Sequence, residues 1–130
     1  MSRISTFLQG IKVVDLSRHL PGPLASLLMV DMGAQVLKVE PPQGEEMRFI
    51  GPLASTGNSV FFDAVNAGKT GVKLDLKNPQ QREQLLALLR DADVMIESFR
   101  PGVLDKLGLS VELLRRECPR LVICSLNGYG

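Results

Sequence analysis

Residues 11–39 read IKVVDLSRHLPGPLASLLMVDMGAQVLKV, and this stretch decides the fold. Ile11 to Asp15 is a short run rich in β-branched residues, the pattern of a buried strand. Pro21-Gly22-Pro23 introduces a largely apolar helix over Leu24 to Met32, since a proline's missing N–H costs nothing at a helix start. Gly33 is the stop, because glycine tolerates the left-handed backbone at a helix end. Gln35 to Val39 is a second strand. Strand, helix and strand in this order form a βαβ unit, which makes the two strands parallel.

Working outward, the same alternation continues. Residues 41–60, PPQGEEMRFIGPLASTGNSV, carry prolines and glycines throughout and form a long loop with room for one helical turn; long loops in compact domains are often functional. Ser59 to Ala67 is a short helix and Gly71 to Leu76 a third strand. Asn78 caps the next helix, with Pro79 at its first position and Gln81 where a capping box places it. Leu85, Leu86, Leu88 and Leu89 supply the buried stripe of that helix. Val94 to Glu97 is a fourth strand, Ser110 caps a helix reaching Arg116, and Leu121 to Ser125 is a fifth strand. The fold class is therefore α/β: a Rossmann-like parallel sheet with helices on both faces.

Composition narrows the function classes. The 130 residues carry fifteen Lys and Arg against fourteen Asp and Glu, a formal net charge of +1. Neither sign dominates, so no nucleic-acid or membrane partner is expected. No apolar run approaches the ~18 residues of a membrane span. The start, MSRISTFLQG, has no basic segment leading into a long apolar stretch and is not read as a signal peptide. Cys118 and Cys124 match neither a metal motif nor a disulfide framework. They fit reduced thiols in a cytoplasmic protein. His19 is the single histidine, so no His-rich metal site is expected.

Ligands of open parallel sheets sit beyond the carboxyl ends of the strands. The expected rim is Asp15 to His19, Glu40, the region of Asp75, Glu97 to Arg100, and Ser125 to Asn127. Arg18 and His19 lie where a strand meets a helix start, a place suited to an anion. Glu97-Ser98-Phe99-Arg100-Pro101-Gly102 puts a carboxylate, a hydroxyl, an aromatic face and a guanidinium into one turn. Phe99 could pack on a flat heterocycle and Arg100 could pair with phosphate; equally, this is a strand-to-helix turn with Phe99 in the core. No G-x-G-x-x-G follows the first strand. Gly68-Lys69-Thr70 has the ending of a phosphate-cradling loop, but Asp63 stands where that motif needs its first glycine, so the segment is read as a turn into the third strand. Asp15, Glu40, Asp75 and Glu97 have no His or Cys neighbour and are read as structural.

The assembled blocks resemble the class III CoA-transferase family, which includes formyl-CoA transferase, carnitine CoA-transferase, bile-acid-inducible CoA-transferases and α-methylacyl-CoA racemase. The matching stretches are LQGIKVVDLSRHLPGP, DMGAQVLKVEPPQGEEMR, NAGKTGVKLDLKNP, ADVMIESFRPGVLDKLGL and PRLVICSLNGYG, spanning Leu8 to Gly130. The resemblance implies that residues 1–130 are the N-terminal CoA-binding segment of a large domain completed by further chain. It implies that Arg18, His19 and Leu20 lie along CoA and that Leu74 borders the adenine. Ser98, Phe99, Val103 and Lys106 match the block holding adenine and phosphates, with Arg100 inside it. Arg48 matches the arginine of a Gly-acid-x-x-Arg stretch. Two positions depart from the family pattern: Pro41 stands where an arginine is common, and Ser98 where transferases often carry asparagine.

The implied activity is transfer of CoA between carboxylic acids, with CoA or acyl-CoA as substrate and no resident cofactor. A racemase of the same family and a non-catalytic nucleotide-binding or assembly fragment are the alternatives. The family's catalytic aspartate, or the racemases' His and Asp, lie beyond the last block, so no catalytic residue is expected within these 130 residues. A homo-oligomer is expected.

Overall fold

The computed structural model describes residues 3–128. Met1, Ser2, Tyr129 and Gly130, which include the first residues of the stretch read for a signal peptide and the end of the last family block, lie outside the described residues. The five strands are β1 (Lys12–Leu16), β2 (Gln35–Glu40), β3 (Thr70–Lys73), β4 (Val94–Glu97) and β5 (Val122–Ser125). All pair in parallel, in the order β3-β2-β1-β4-β5. The helices are α1 (Pro21–Asp31), α2 (Val60–Val65), α3 (Pro79–Arg90), α4 (Val103–Lys106) and α5 (Val111–Glu117). The expected doubly wound α/β architecture is the one observed.

Alternation along the strands divides the core into two layers, as side chains one apart point to opposite faces. Val13, Val36 and Ile96 pack with Ala34, Met29 and Val30 on the α1 face. Val14, Leu16, Val39 and Met95 pack on the other face with Leu85, Leu86 and Leu89 of α3 and Leu114 of α5. Leu85, Leu89, Met95, Leu109 and Leu114 have no solvent exposure. Truncating any of these leucines to alanine costs about 2–5 kcal/mol, the lost transfer energy plus the cavity left behind.

The differences from the sequence reading have local causes. Helix α1 begins at Pro21 rather than Leu24, because both prolines fit its first turn. The third strand ends at Lys73: Leu74 N–H still donates to Glu40 C=O at 2.8 Å, but Asp75 then turns the chain, its carboxylate accepting from Lys77 N–H at 3.0 Å. Asn78 caps α3 as expected, accepting from Gln80 and Gln81 N–H. Gln81 itself accepts from Asp75 N–H at 2.7 Å instead of closing a capping box on Asn78. The short α4 was not legible in the sequence; Gly102, at φ 86°, turns the chain into it. The loop after β2 holds one 3-10 turn at Glu46–Phe49 and a bridge between Leu53 and Ser59.

Candidate functional site

Strand order reverses between β1 and β4: chain connections from β1 run toward β2 on one side, while β4 and β5 lie on the other. At such a switch point the loops leaving neighbouring strands diverge and open a crevice. Here the loops after β1 and β4 flank a cleft of about 470 Å³. Its floor is apolar, formed by Leu16, Val39, Leu74 and Leu76. Its rim carries Arg18, His19, Lys77 and Arg100, with Glu40, Glu46 and Asp75 among them.

The two flanking turns are tied together. Arg18 N–H donates to Ser98 Oγ at 2.9 Å, and the Arg18 guanidinium lies over the Phe99 ring, 5.4 Å from its centroid. Phe99 N–H donates to the Glu97 carboxylate at 2.9 Å, which fixes the turn after β4. Phe99 is half-buried, lining the cleft while also packing against the core. The shorter Ser98 reaches the neighbouring backbone, and its oxygen is already engaged there.

The structure brings together Arg18, His19, Leu74, Ser98, Phe99, Arg100 and Val103 around this one cleft. Leu20 and Lys106 lie outside its lining and are exposed. The start of α1 offers less to an anion than its position suggested. Pro21 and Pro23 have no N–H, so only Gly22 carries a free donor among the first three helical residues.

Arg48 also lies outside the cleft lining. It grips Glu40, donating from Nε to Oε2 at 2.7 Å and from Nη2 to Oε1 at 2.6 Å, and its guanidinium stacks 4.0 Å from the Phe62 centroid. Burial alone would raise the Glu40 carboxyl. The Arg48 hydrogen bonds, the Glu45 N–H and the charges of Arg48 and Lys38 outweigh burial and hold it below its ordinary value.

Beneath the rim, on the α1 face of the sheet, lies a buried ionic cluster that the sequence reading missed. Asp15, fully buried, accepts from Ser17 N–H at 2.8 Å, from the Ser17 and Ser26 hydroxyls, and from Lys69 Nζ at 3.3 Å. Lys69 Nζ also donates to Pro23 C=O and Asn66 Oδ1, both at 2.9 Å. Burial lowers the Lys69 ammonium below its ordinary value despite the Asp15 charge. The partial phosphate-loop motif is thus a turn, with its lysine directed into the protein. Lys38 pairs with Glu45 at 2.8 Å, both side chains almost wholly buried. Lys38 and Glu40 share the face of Val36, and charged residues alternating with valine inside a strand were the available signal.

Fold and cleft define a doubly wound α/β protein whose switch-point crevice has an apolar floor, the Phe99 ring and a rim of mixed charge. The chain belongs to CoA-transferase family III, whose profile it matches over residues 8–130. It is 41% identical to the acetyl-CoA:oxalate CoA-transferase of Acetobacter aceti, covering 93% of this chain and 31% of that protein. It is 39% identical to the formyl-CoA:oxalate CoA-transferase of Afipia carboxidovorans, covering 95% of this chain and 29% of the relative. The crystal structure of a CAIB/BAIF family protein from Brucella suis superposes with a TM-score of 0.91 at 41% identity, over 97% of this chain and 34% of that one. The chain thus spans about a third of the length of the relatives it matches.

Proposed function

We propose that residues 1–130 form the N-terminal CoA-binding segment of an enzyme that transfers CoA between carboxylic acids. The observation that carries this reading is the cleft at the β1/β4 switch point, where the Arg18 guanidinium lies over Phe99 beside an apolar floor. CoA has a flat purine and several phosphates, and this cleft offers a ring and an apolar surface for the first and cations for the second. Adenine lies near Leu74 and Phe99, with Val103 alongside; the phosphates face Arg18, Arg100 and Lys106, and Lys77 adds a cation that family resemblance had not singled out. His19 and Leu20 line the path of the CoA chain past the first turn. The named relatives act on acyl-CoA and carboxylic acids, which supports transfer as the reaction class.

In this reading CoA is a substrate and no resident cofactor is called for. Asp15, Glu40 and Glu97 are each engaged in hydrogen bonds at their strand ends, which supports a structural role for them. Among the described residues no helix is long and apolar enough to cross a membrane. The free thiols Cys118 and Cys124 fit a reducing, cytoplasmic setting. Exposed Leu24, Leu28, Phe49, Ile50, Leu53 and Phe61 support self-association into a homo-oligomer.

CoA titrations by calorimetry test the reading. Loss of one charge-assisted hydrogen bond costs about 1.5–3 kcal/mol, so Arg18→Ala and Arg100→Ala each weaken CoA binding roughly ten- to a hundred-fold. The exposed, distant Arg120→Ala leaves it unchanged. Unchanged affinity in both cleft variants would sink the assignment of this cleft to CoA.

A further inference from the structure

The turn between β1 and α1 contains a strained residue. His19 has φ 66°, the left-handed region, although it is not glycine. Such a conformation is unfavourable for a residue with a Cβ and persists only where its surroundings hold it. The residue before it, Arg18, projects over Phe99 into the cleft.

What holds the turn comes from a loop far along the chain. His19 N–H donates to Glu45 Oε1 at 2.5 Å. The other Glu45 oxygen lies 2.8 Å from Lys38 Nζ, and Lys38 Nζ donates to Ser17 C=O at 3.1 Å. The carbonyl before Arg18 and the N–H after it are therefore gripped by the two members of one buried ion pair. Glu45 is itself anchored, its N–H donating to Glu40 Oε2 at 2.9 Å, and Arg48 holds Glu40 by the fork described above. Gly44 precedes it at φ 86°, where an added Cβ would stand 2.9 Å from Arg48 Cδ. The loop thus presents Glu45 inward without solvent access, its side chain 1% exposed. Glu45 does not line the cleft.

We propose that Glu45 is a positioning residue for the CoA cleft: its carboxylate, paired with Lys38, clamps the Ser17–His19 backbone and so aims Arg18 at the ligand. This rests on the assignment of the cleft to CoA. It also gives Arg48 a role at a distance, through Glu40 and Glu45.

Removing one member of a buried pair leaves a lone buried charge, so the test uses two double variants that differ only in the acceptor. Lys38→Met/Glu45→Gln keeps an oxygen for His19 N–H; Lys38→Met/Glu45→Ala removes it. Three quantities are measured on the 130-residue chain: the His19 amide proton shift without ligand, the thermal midpoint, and CoA affinity. A hydrogen bond to a carboxylate moves an amide proton downfield. The expected result is a downfield His19 resonance in the unmodified chain that moves upfield in the alanine variant. CoA affinity falls about tenfold further in that variant than in the glutamine variant, one hydrogen bond's worth. A merely structural role would shift the thermal midpoint and leave the affinity of the folded protein equal in the two variants, which overturns the proposal. A His19 resonance indifferent to residue 45 also overturns it. Failure of the unmodified chain to bind CoA overturns the functional reading instead, and the His19 resonance then still decides whether the clamp exists.

Discussion

Arg48 and Glu40 form a two-pronged ion pair, 2.7 and 2.6 Å, between the loop after β2 and the end of β2 itself. Glu40 is almost fully buried, its side chain 4% exposed. Arg48→Ala strips that buried carboxylate of its direct ion-pair partner, leaving only the charge of nearby Lys38, and should cost about 3 kcal/mol of stability, measured by urea denaturation. Arg48→Lys supplies a point charge without the planar fork and should recover only part of the loss. A loss below about 1 kcal/mol in the alanine variant would show the pair to be no stronger than a surface one.

Stability should fall in acid, in a window set by Glu40. Its carboxyl is held below the ordinary value in the folded state. Between that lowered value and the ordinary one, the unfolded chain binds more protons, so stability rises with pH there. The contribution is complete above the ordinary carboxylate value and is lost as pH falls through the folded one. Glu40→Gln should flatten this part of the stability profile; an unchanged profile would remove Glu40 as its source.

Lys69→Met separates fold from ligand binding. It strips Asp15 of its only pairing cation among the described ion pairs. The three hydrogen bonds from Ser17 and Ser26 remain, so the loss should fall at the low end of the roughly 3–5 kcal/mol for a broken buried pair. Lys69 is absent from the cleft lining, so CoA affinity of the folded variant should be unchanged. Weaker CoA binding with undiminished stability would place Lys69 at the ligand after all.

Gly22 permits the close approach of α1 to the end of β1. An added Cβ there would collide with Cβ and Oγ of Ser17, and Ser17 is itself fully buried and bonded to Asp15. Gly22→Ala should therefore destabilise by about 1–3 kcal/mol, the usual cost of overpacking, despite alanine's better helix propensity. A thermal midpoint equal to or above the unmodified chain's would contradict the contact.

Self-association should be visible by sedimentation at micromolar concentration. Phe49, Leu53 and Phe61 are 67%, 59% and 54% exposed, which is unusual for large apolar side chains gathered around one loop and helix. Replacing Phe49 and Phe61 with serine should shift the chain toward monomer. A monodisperse monomer before any substitution would count against the oligomer.

Local signals carried most of the fold. The β-branched runs at Val13-Val14 and Val36 to Val39, the Pro-Gly-Pro entry and the Gly33 stop mark strand, helix and strand through short-range propensity and periodicity, so the parallel α/β class was legible. The family blocks also picked out residues that the structure gathers around one cleft, because the carboxyl ends of parallel strands meet wherever such a sheet folds. Tertiary structure alone decided the rest. Beyond the alternation of Lys38 with valines in its strand, nothing within a few residues of Lys38, Glu45 or Lys69 shows which charges meet them, since their ionic partners stand in other elements: Glu45 reaches Lys38 and His19, and Lys69 reaches Asp15. A charged side chain is ordinarily solvated, and only the arrangement of opposite charges around it makes burial tolerable. For the same reason the grip of Arg48 on Glu40, which itself lines the cleft, became visible only in the folded chain.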